Sequence, residues 1–468
     1  MDDDADDVFA SAAMVNPAPK DAFPSFERPA RDAYQLVRDE LLLDGVSRMN
    51  LATFCTTWLE PEAAHLMADS IAKNIIDKDE YPQTAEIERR CVALVADLFH
   101  APDPAGTVGT STTGSSEAAM LSGLAAKWRW RAKRKAAGLD DSRPNLVCGP
   151  VQVCWEKFAR YFDVELRQVP MPEGHLLTPE AAVAHCDENT IAVVATFGQT
   201  FTGLYEDVAG ISAALDDLQE RTGLDIPLHV DAASGAFVAA FCAPDLTWDF
   251  RLPRVKSINA SGHKTGLAPL GSGWAIWREA ADLPDELVFE VNYLGGELPT
   301  FGLNFSRPGG QVIVSYYLFL RLGRDGYVKV QNAAYTVAQR IAEGIRELDL
   351  FDLVFDADPA KGIPAVTWTA RDGDDGKLFD LAQELRMRGW LVPAYTLPPD
   401  QQQHAVQRIV VRHGMSIDMA ELLLADMRRS LDALARAPRG AHVLASDAAG
   451  FNHDAKPRVS DAAMTSAQ

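Results

Sequence analysis

Apolar positions recur at helical spacing over residues 34–43 and 61–76, and Pro61 is suited to a first helical turn. From about residue 84 to residue 330 the pattern changes. Helical stretches alternate with short apolar runs at 145–148, 164–169, 191–197, 227–231, 255–260 and 273–277. Runs of this length with helices between them predict strands of a mainly parallel sheet covered on both faces. Ligands of such sheets gather beyond the carboxyl ends of the strands. A long helical pattern at 330–350 leads into a smaller section, with strands expected at 363–370, 390–395 and 408–412 and helices at 377–388 and 419–435. Asp418 and Glu421 predict a capping-box start for the last helix. The expected segmentation is an arm with a helical segment (1–76), a large α/β domain (77–335), a small α+β domain (336–437) and a mobile tail (438–468). Residues 1–30, rich in Asp, Ala and Pro, read as a mobile arm.

Composition narrows the function classes. The 468 residues are 47% hydrophobic and 24% charged, as in a folded soluble protein. No apolar run approaches the roughly 18 residues of a membrane helix. The acidic start, Met1-Asp2-Asp3-Asp4, lacks the basic and apolar regions of a secretory signal, so a cytoplasmic location is expected without stable membrane association. Six cysteines with no C-x-x-C spacing predict neither structural zinc nor a disulfide framework, and no metal. A net charge of −22 argues against nucleic acid as a partner. The basic and aromatic stretch Lys127-Trp128-Arg129-Trp130-Arg131 through Lys135 is read as a basic helix end, favourable to the helix dipole, rather than an RNA contact. Asp372-Gly373-Asp374-Asp375-Gly376 has its glycine at the wrong offset for a calcium loop and reads as a turn.

Candidate chemistry sits beside the expected strand ends. Lys264 lies in Ser261-Gly262-His263-Lys264, and Asp231 ends the run at 227–231. An amine that can hold an aldehyde as a Schiff base, with a carboxylate that keeps a pyridine nitrogen protonated, is what pyridoxal phosphate requires. Gly109-Thr110-Ser111-Thr112-Thr113-Gly114-Ser115-Ser116-Glu117 precedes a helical run at 118–130. Its small residues let a phosphate approach the backbone at a helix N-terminus, where Ser115 and Ser116 add hydroxyls. The two glycines imitate a nucleotide P-loop, but Ser115 stands where that motif needs lysine, which favours a monophosphate cofactor over ATP.

With these elements in place the chain resembles the glutamate decarboxylases, group II pyridoxal-phosphate enzymes of fold type I. The resemblance runs from Leu41-Leu42-Leu43-Asp44-Gly45 to about Ala435. It includes Asn50-Leu51-Ala52-Thr53-Phe54, Ile76-Asp77-Lys78-Asp79-Glu80-Tyr81-Pro82, Val151 to Tyr161 and Asn304-Phe305-Ser306. It implies an α/β fold with a mostly parallel, seven-stranded sheet under helices on both faces, plus a small α+β C-terminal domain. Lys264 would carry the Schiff base and Asp231 the pyridinium nitrogen. Ser115, Ser116, Ser261 and His263 would hold the phosphate, with Ser306 reaching in from a neighbouring subunit. Gln152 and Ala233 would flank the ring, and Thr200 would approach its phenolic oxygen. Thr53 and Phe54, with Asn74 and Asp77 of the partner chain, match positions that read the distal carboxyl of L-glutamate, and Arg408 matches a basic residue near the α-carboxylate.

A site shared in this way implies a homodimer as the minimum unit, with a hexamer open. The expected reaction is α-decarboxylation of L-glutamate to 4-aminobutyrate and CO2, with Lys264 or His263 returning a proton to Cα. Each turnover consumes a proton, and Asp77 would repel the distal carboxylate unless one of the two is protonated, so an acid optimum is expected. The tail has no basic, tryptophan-containing calmodulin site. Gly450-Phe451-Asn452-His453 resembles the tail of bacterial members in which a histidine closes the site at neutral pH, although here residues 454–468 follow it. Competing readings are decarboxylation of aspartate or an aromatic amino acid, an aminotransferase, and a non-catalytic cofactor-binding scaffold. The His263-Lys264 pair disfavours the aminotransferase, and the intact lysine, aspartate and phosphate loop disfavour the scaffold.

Overall fold

The computed structural model describes residues 17–291 and 298–436, and the regulatory candidate His453 lies outside them. The chain divides into two compact units, Met1–Asn50 and Leu51–Gln468. In the first, the helix Ala30–Leu41 buries none of its residues, and Tyr34, Val37 and Leu41 are exposed.

The second unit is built on a seven-stranded sheet. Its strands are β1 (Gly109–Thr112), β2 (Asn145–Cys148), β3 (Glu165–Gln168), β4 (Thr190–Thr196), β5 (Leu228–Asp231), β6 (Val255–Ala260) and β7 (Gly273–Trp277). They lie in the order β1-β7-β6-β5-β4-β2-β3. Five neighbouring strands, β6 to β3, run parallel, and helices make the crossovers between most of them. All six expected runs became strands. The seventh, β1, is Gly-Thr-Ser-Thr and carries no apolar signal. Pairing with β7 makes it a strand and buries Thr110, Ser111 and Thr112.

β7 is antiparallel to both its neighbours. An antiparallel return needs no helical crossover, so a short loop from Ser261 to Ser272 suffices, and this loop carries Lys264.

From Ala192 to Ala195 the side chains of β4 alternate between two cores, as period-two geometry requires. Val193 and Ala195 join Val230, Ile258, Phe197 and Trp248 on one face. Ile191, Ala192 and Val194 join Leu146, Trp155 and Phe158 on the other. Phe197 is stacked on both Tyr205 (3.9 Å between ring centres) and Trp248 (4.6 Å).

A two-stranded hairpin, β8 (Phe289–Val291) with β9 (Leu298–Thr300), precedes the helix Gly310–Glu347. The pattern at 330–350 is the second half of that helix, which is interrupted at Gly323. A four-stranded antiparallel sheet follows, in the order β10 (Phe351–Asp356), β11 (Ala365–Ala370), β13 (Ala405–Val410), β12 (Ala394–Thr396). The helix Gly376–Met387 packs on this sheet, and the helix Ile417–Arg436 packs against that helix and against Gly310–Glu347. β10, Phe351-Asp352-Leu353-Val354-Phe355-Asp356, is an apolar run that the expected strands did not include, because it follows the long helical pattern after only a short turn.

Two local readings are refined, and two hold. The helix starting at Pro61 ends at Asp69 rather than 76. The last helix is capped by Ser416, whose Oγ accepts from the Met419 N–H at 3.2 Å. The expected capping partner Glu421 instead accepts from Arg340 Nε at 2.6 Å, a charged pairing stronger than a cap. The basic stretch at 127–135 is the end of the helix Ser115–Ala136, and its charges are paired within the chain. Arg129 meets Asp282 at 2.9 Å and Arg131 meets Asp141 at 3.0 Å, while Arg134 lies over the Trp130 ring. Asp374 N donates to Asp372 Oδ1 at 3.2 Å, as in a turn. Among the described residues no helix is long and apolar enough to cross a membrane.

One buried carboxyl joins several of these elements. Glu206 accepts from the Thr196 N–H at the end of β4 (2.6 Å) and from the Leu177 N–H (3.4 Å). Burial pushes its pKa up to about 8, against the pull of those two amides. A raised folded-state value means that the stability gained from the neutral carboxyl is complete below the ordinary value of 4.5 and is lost as pH rises through about 8. Glu206→Gln should therefore flatten the fall in melting temperature between about pH 5 and 8, as read by circular dichroism. Parallel wild-type and variant curves would show that this ionisation is not linked to folding.

Candidate active site and family

The reversal between β6 and β7 is tied down along its length. Thr56 N donates to the His263 carbonyl (2.7 Å) and Thr56 Oγ1 to the Lys264 carbonyl (2.8 Å). Tyr327 Oη donates to the Gly266 carbonyl (3.0 Å) and Gln331 Nε2 to that of Thr265 (2.7 Å). The Lys264 ammonium therefore projects from a rigid loop. Its Nζ donates to Ser234 Oγ at 3.2 Å and lies 5.1 Å from the centre of the Phe54 ring. Burial lowers its pKa, opposed mainly by Asp231. An amine so placed gives up its proton more readily and becomes nucleophilic.

Asp231 is buried at the end of β5 and held by three donors. Trp155 Nε1 donates to Oδ2 (2.8 Å), and Asn259 Nδ2 (2.8 Å) and Ala233 N (3.2 Å) donate to Oδ1. The register that pairs Asp231 with Asn259 on the neighbouring strand β6 makes this possible. Beneath it His229 lies between Ser257 Oγ and Asn259 Oδ1, each at 2.7 Å. Burial drops the pKa of His229 to about 4, so the ring is neutral and fixes the Asn259 amide. Trp155, Asn259 and Ser234 were not singled out in the sequence. The only available signal was that Trp155 falls in the resembling stretch 151–161.

At the start of the helix Ser115–Ala136 no side chain caps the first turn. Ser115 Oγ accepts from Ser261 Oγ at 2.7 Å, which brings together two of the predicted phosphate ligands. Gly114, at φ 149°, has the His263 ring alongside, 3.1 Å from where a Cβ would stand. Across from it, a Cβ on Gly273 would come within 2.5 Å of the Gly114 carbonyl carbon and 2.7 Å of Ser115 N. Glycine alone allows the strand to approach the helix start so closely. His263 Nδ1 accepts from Ser272 N (3.2 Å), leaving the proton on Nε2. Burial, helped by Lys264, lowers the pKa of His263 to about 4.

Arg408, on β13, is buried, with its guanidinium over the Phe54 ring at 4.5 Å. It donates to the carbonyls of Thr200 and of Ala52, the latter at 2.8 Å. Its Nε is buried without a hydrogen bond, and no carboxylate pairs with it among the described residues. Phe54 thus sits between the amine of Lys264 and the guanidinium of Arg408. Thr53 Oγ1 accepts from Cys55 N at 3.3 Å. Gln152 is exposed and caps the helix Val153–Tyr161 through Cys154 N (2.7 Å).

Asn74, Asp77 and Ser306 are gathered separately. Asn74 Nδ2 donates to Ser306 Oγ (3.3 Å), Asn74 Oδ1 accepts from Arg307 N (3.0 Å), and Asp77 N donates to the Asn74 carbonyl (3.2 Å). Among the described residues no hydrogen bond joins these three directly to Lys264, Asp231 or Ser115.

A desolvated amine, a clamped carboxylate and an uncapped helix start lined by serines fit pyridoxal phosphate. The chain belongs to the pyridoxal-dependent decarboxylase family, whose conserved domain matches residues 24–370. Its relatives narrow the kinship further. It is 54% identical to a glutamate decarboxylase of Aliivibrio fischeri, over 97% of this chain and 98% of that protein. It is 50% identical to one of Solanum lycopersicum, over 92% of this chain and 86% of that protein. The solved glutamate decarboxylase of Lactobacillus brevis CGMCC 1306 superposes with a TM-score of 0.88 at 45% identity, covering 92% of this chain and 99% of that one.

The clamp on Asp231 gives a prediction. A hydrogen bond to a charged group contributes about 1.5–3 kcal/mol, so losing one should weaken cofactor binding roughly tenfold or more. Trp155→Phe should do this while leaving the melting temperature within a few degrees. Titration of the apoprotein with pyridoxal phosphate measures it, and an unchanged dissociation constant would show that Trp155 serves packing alone.

Proposed function

We propose that this protein is a glutamate decarboxylase, converting L-glutamate to 4-aminobutyrate and CO2 with uptake of one proton. The observation that carries the substrate class is the Arg408 guanidinium. It is buried without a carboxylate partner among the described residues, and the Phe54 ring beneath it also faces the Lys264 amine. A buried cation needs a counter-ion, and the α-carboxylate of an amino acid would supply one. The relatives named above support glutamate as that amino acid.

When bound, pyridoxal phosphate supplies an electron sink for the bond broken at Cα. The chain's own residues then have distinct tasks. Lys264 Nζ would hold the aldehyde of the bound group, and its amine is the one placed to return a proton to Cα. Asp231, held in place by three donors, would pair with the pyridine nitrogen and keep it protonated. Ser115, Ser116, Ser261 and the uncapped helix start hold the phosphate. His263 is neutral above about pH 4 and contributes an Nε2–H donor rather than a full charge. Gln152 and Ala233 would flank the ring, and Thr200 would approach its phenolic oxygen. Phe54 and Thr53 line the substrate side, with Asn74, Asp77 and Ser306 supplied by a neighbouring subunit. The working unit is then a homodimer or a multiple of it.

Three outcomes test the reading. L-Glutamate should release CO2 and 4-aminobutyrate in equal amounts, fastest in acid because each turnover consumes a proton. Release from L-aspartate instead would redirect the specificity, and a rate level from acid to alkaline pH would contradict the role given to Asp77. Lys264→Ala should abolish both turnover and the absorbance band of the bound cofactor. Arg408→Lys keeps the charge but loses the planar fork, and should cut kcat/KM by about a hundredfold, near the 3 kcal/mol upper range for a charged hydrogen bond. Wild-type kinetics in that variant would remove Arg408 from the site.

A further inference from the structure

One ion pair between the buried Arg307 and the half-buried Glu88 has no part in the reading above, yet it touches two of its components. Glu88, on the helix Pro82–Leu98, has a single oxygen, Oε1, that accepts from Ser111 N (3.0 Å), Ser111 Oγ (2.5 Å) and Thr110 Oγ1 (3.3 Å). The Arg307 guanidinium lies 3.7 Å from the same oxygen. Arg307 Nη1 also donates to the Ser111 carbonyl and, at 3.1 Å, to Ser111 Oγ. Both ends of the pair are thus fastened to β1, the strand that runs into Gly114 and Ser115.

The backbone of Arg307 does something else. Its N–H donates to Asn74 Oδ1 (3.0 Å), its carbonyl accepts from Ile75 N (2.9 Å), and its chain neighbour Ser306 accepts from Asn74 Nδ2. The arginine pins the Asn74–Ser306 pair on one side and is bolted to the sheet on the other. Ser306 is exposed and Asn74 half-buried, so neither is placed by a core of its own. Lys78, the chain neighbour of Asp77, lies near the same two charges, and burial lowers its pKa.

We propose that the Glu88–Arg307 pair is a positioning element that presents Asn74, Asp77 and Ser306 to the active site of the neighbouring subunit. This rests on the shared-site reading given above. A salt bridge here is a costly way to gain stability, since desolvation of two charges offsets much of their attraction. It does fix direction, because the guanidinium fork meets Ser111 and Glu88 in one geometry only. The two charges therefore act on the partner's substrate and phosphate through residues that are not themselves charged, apart from Asp77.

Mixed dimers decide the question. Arg307→Lys, with Glu88→Gln as a second variant that tolerates the loss of its partner's fork, should raise KM for glutamate and the dissociation constant for pyridoxal phosphate roughly tenfold, with kcat within about threefold. In a dimer of one Arg307→Lys chain and one Lys264→Ala chain, the only lysine-bearing site receives its Asn74 and Ser306 from a chain with Arg307 intact. Both KM and cofactor affinity at that site should return to wild-type values. If they stay impaired, the pair acts on its own chain's site through β1, and the proposal fails. Wild-type KM and cofactor affinity in both single variants would overturn it as well. Should the wild type release no CO2 from glutamate, the functional reading fails, and cofactor affinity in the mixed dimer still decides the role of the pair.

Discussion

Lys264 and Asp231 are held out of water at the same end of one sheet, and much of the architecture serves to keep them there. Removing an ammonium or a carboxylate from water is costly unless hydrogen bonds replace the lost hydration. Asp231 recovers it from an indole, a side-chain amide and a backbone amide. Lys264 recovers little, a single hydroxyl and the face of a ring, and its lowered pKa is the result. The asymmetry suits the two tasks. A carboxylate that must stay charged is well solvated by the protein, and an amine that must become a nucleophile is not.

The same economy recurs around the site. His229 and His263 are both neutral near pH 7 because of burial, so neither competes with Asp231 or a phosphate for charge. Each uses a ring nitrogen to fix a neighbour, Asn259 in one case and the turn at Ser272 in the other. Arg408 is the exception, a buried cation with no carboxylate partner among the described residues. The acidic surface of the protein, with its net charge of −22, contrasts with this cationic pair of Lys264 and Arg408 inside.

Topology explains why these groups can meet. Parallel strands connected through helices deliver Asp231 and Asn259 to one edge, and the single antiparallel return of β7 replaces a crossover helix with the loop that carries Lys264. The start of the helix Ser115–Ala136 comes close enough to Ser261 because Gly273 has no side chain at the contact. Phe54 and Arg408 come from opposite ends of the second unit, and the small antiparallel sheet brings the latter under the former.

By itself the sequence determined the alternation of strands and helices, six of the seven strands of the main sheet, and the residue types of the chemistry at Lys264, Asp231 and Ser115. These are properties of local pattern, since a strand buried on both faces must be apolar and a phosphate loop must be small. Tertiary structure decided what has no local signature. β1 is polar and exists through its pairing with β7. Trp155 and Asn259 become ligands of Asp231 through helix packing and strand register, and Glu421 leaves its expected cap for an arginine 81 residues away. Contacts between residues far apart in the chain depend on packing geometry, which no window of sequence contains.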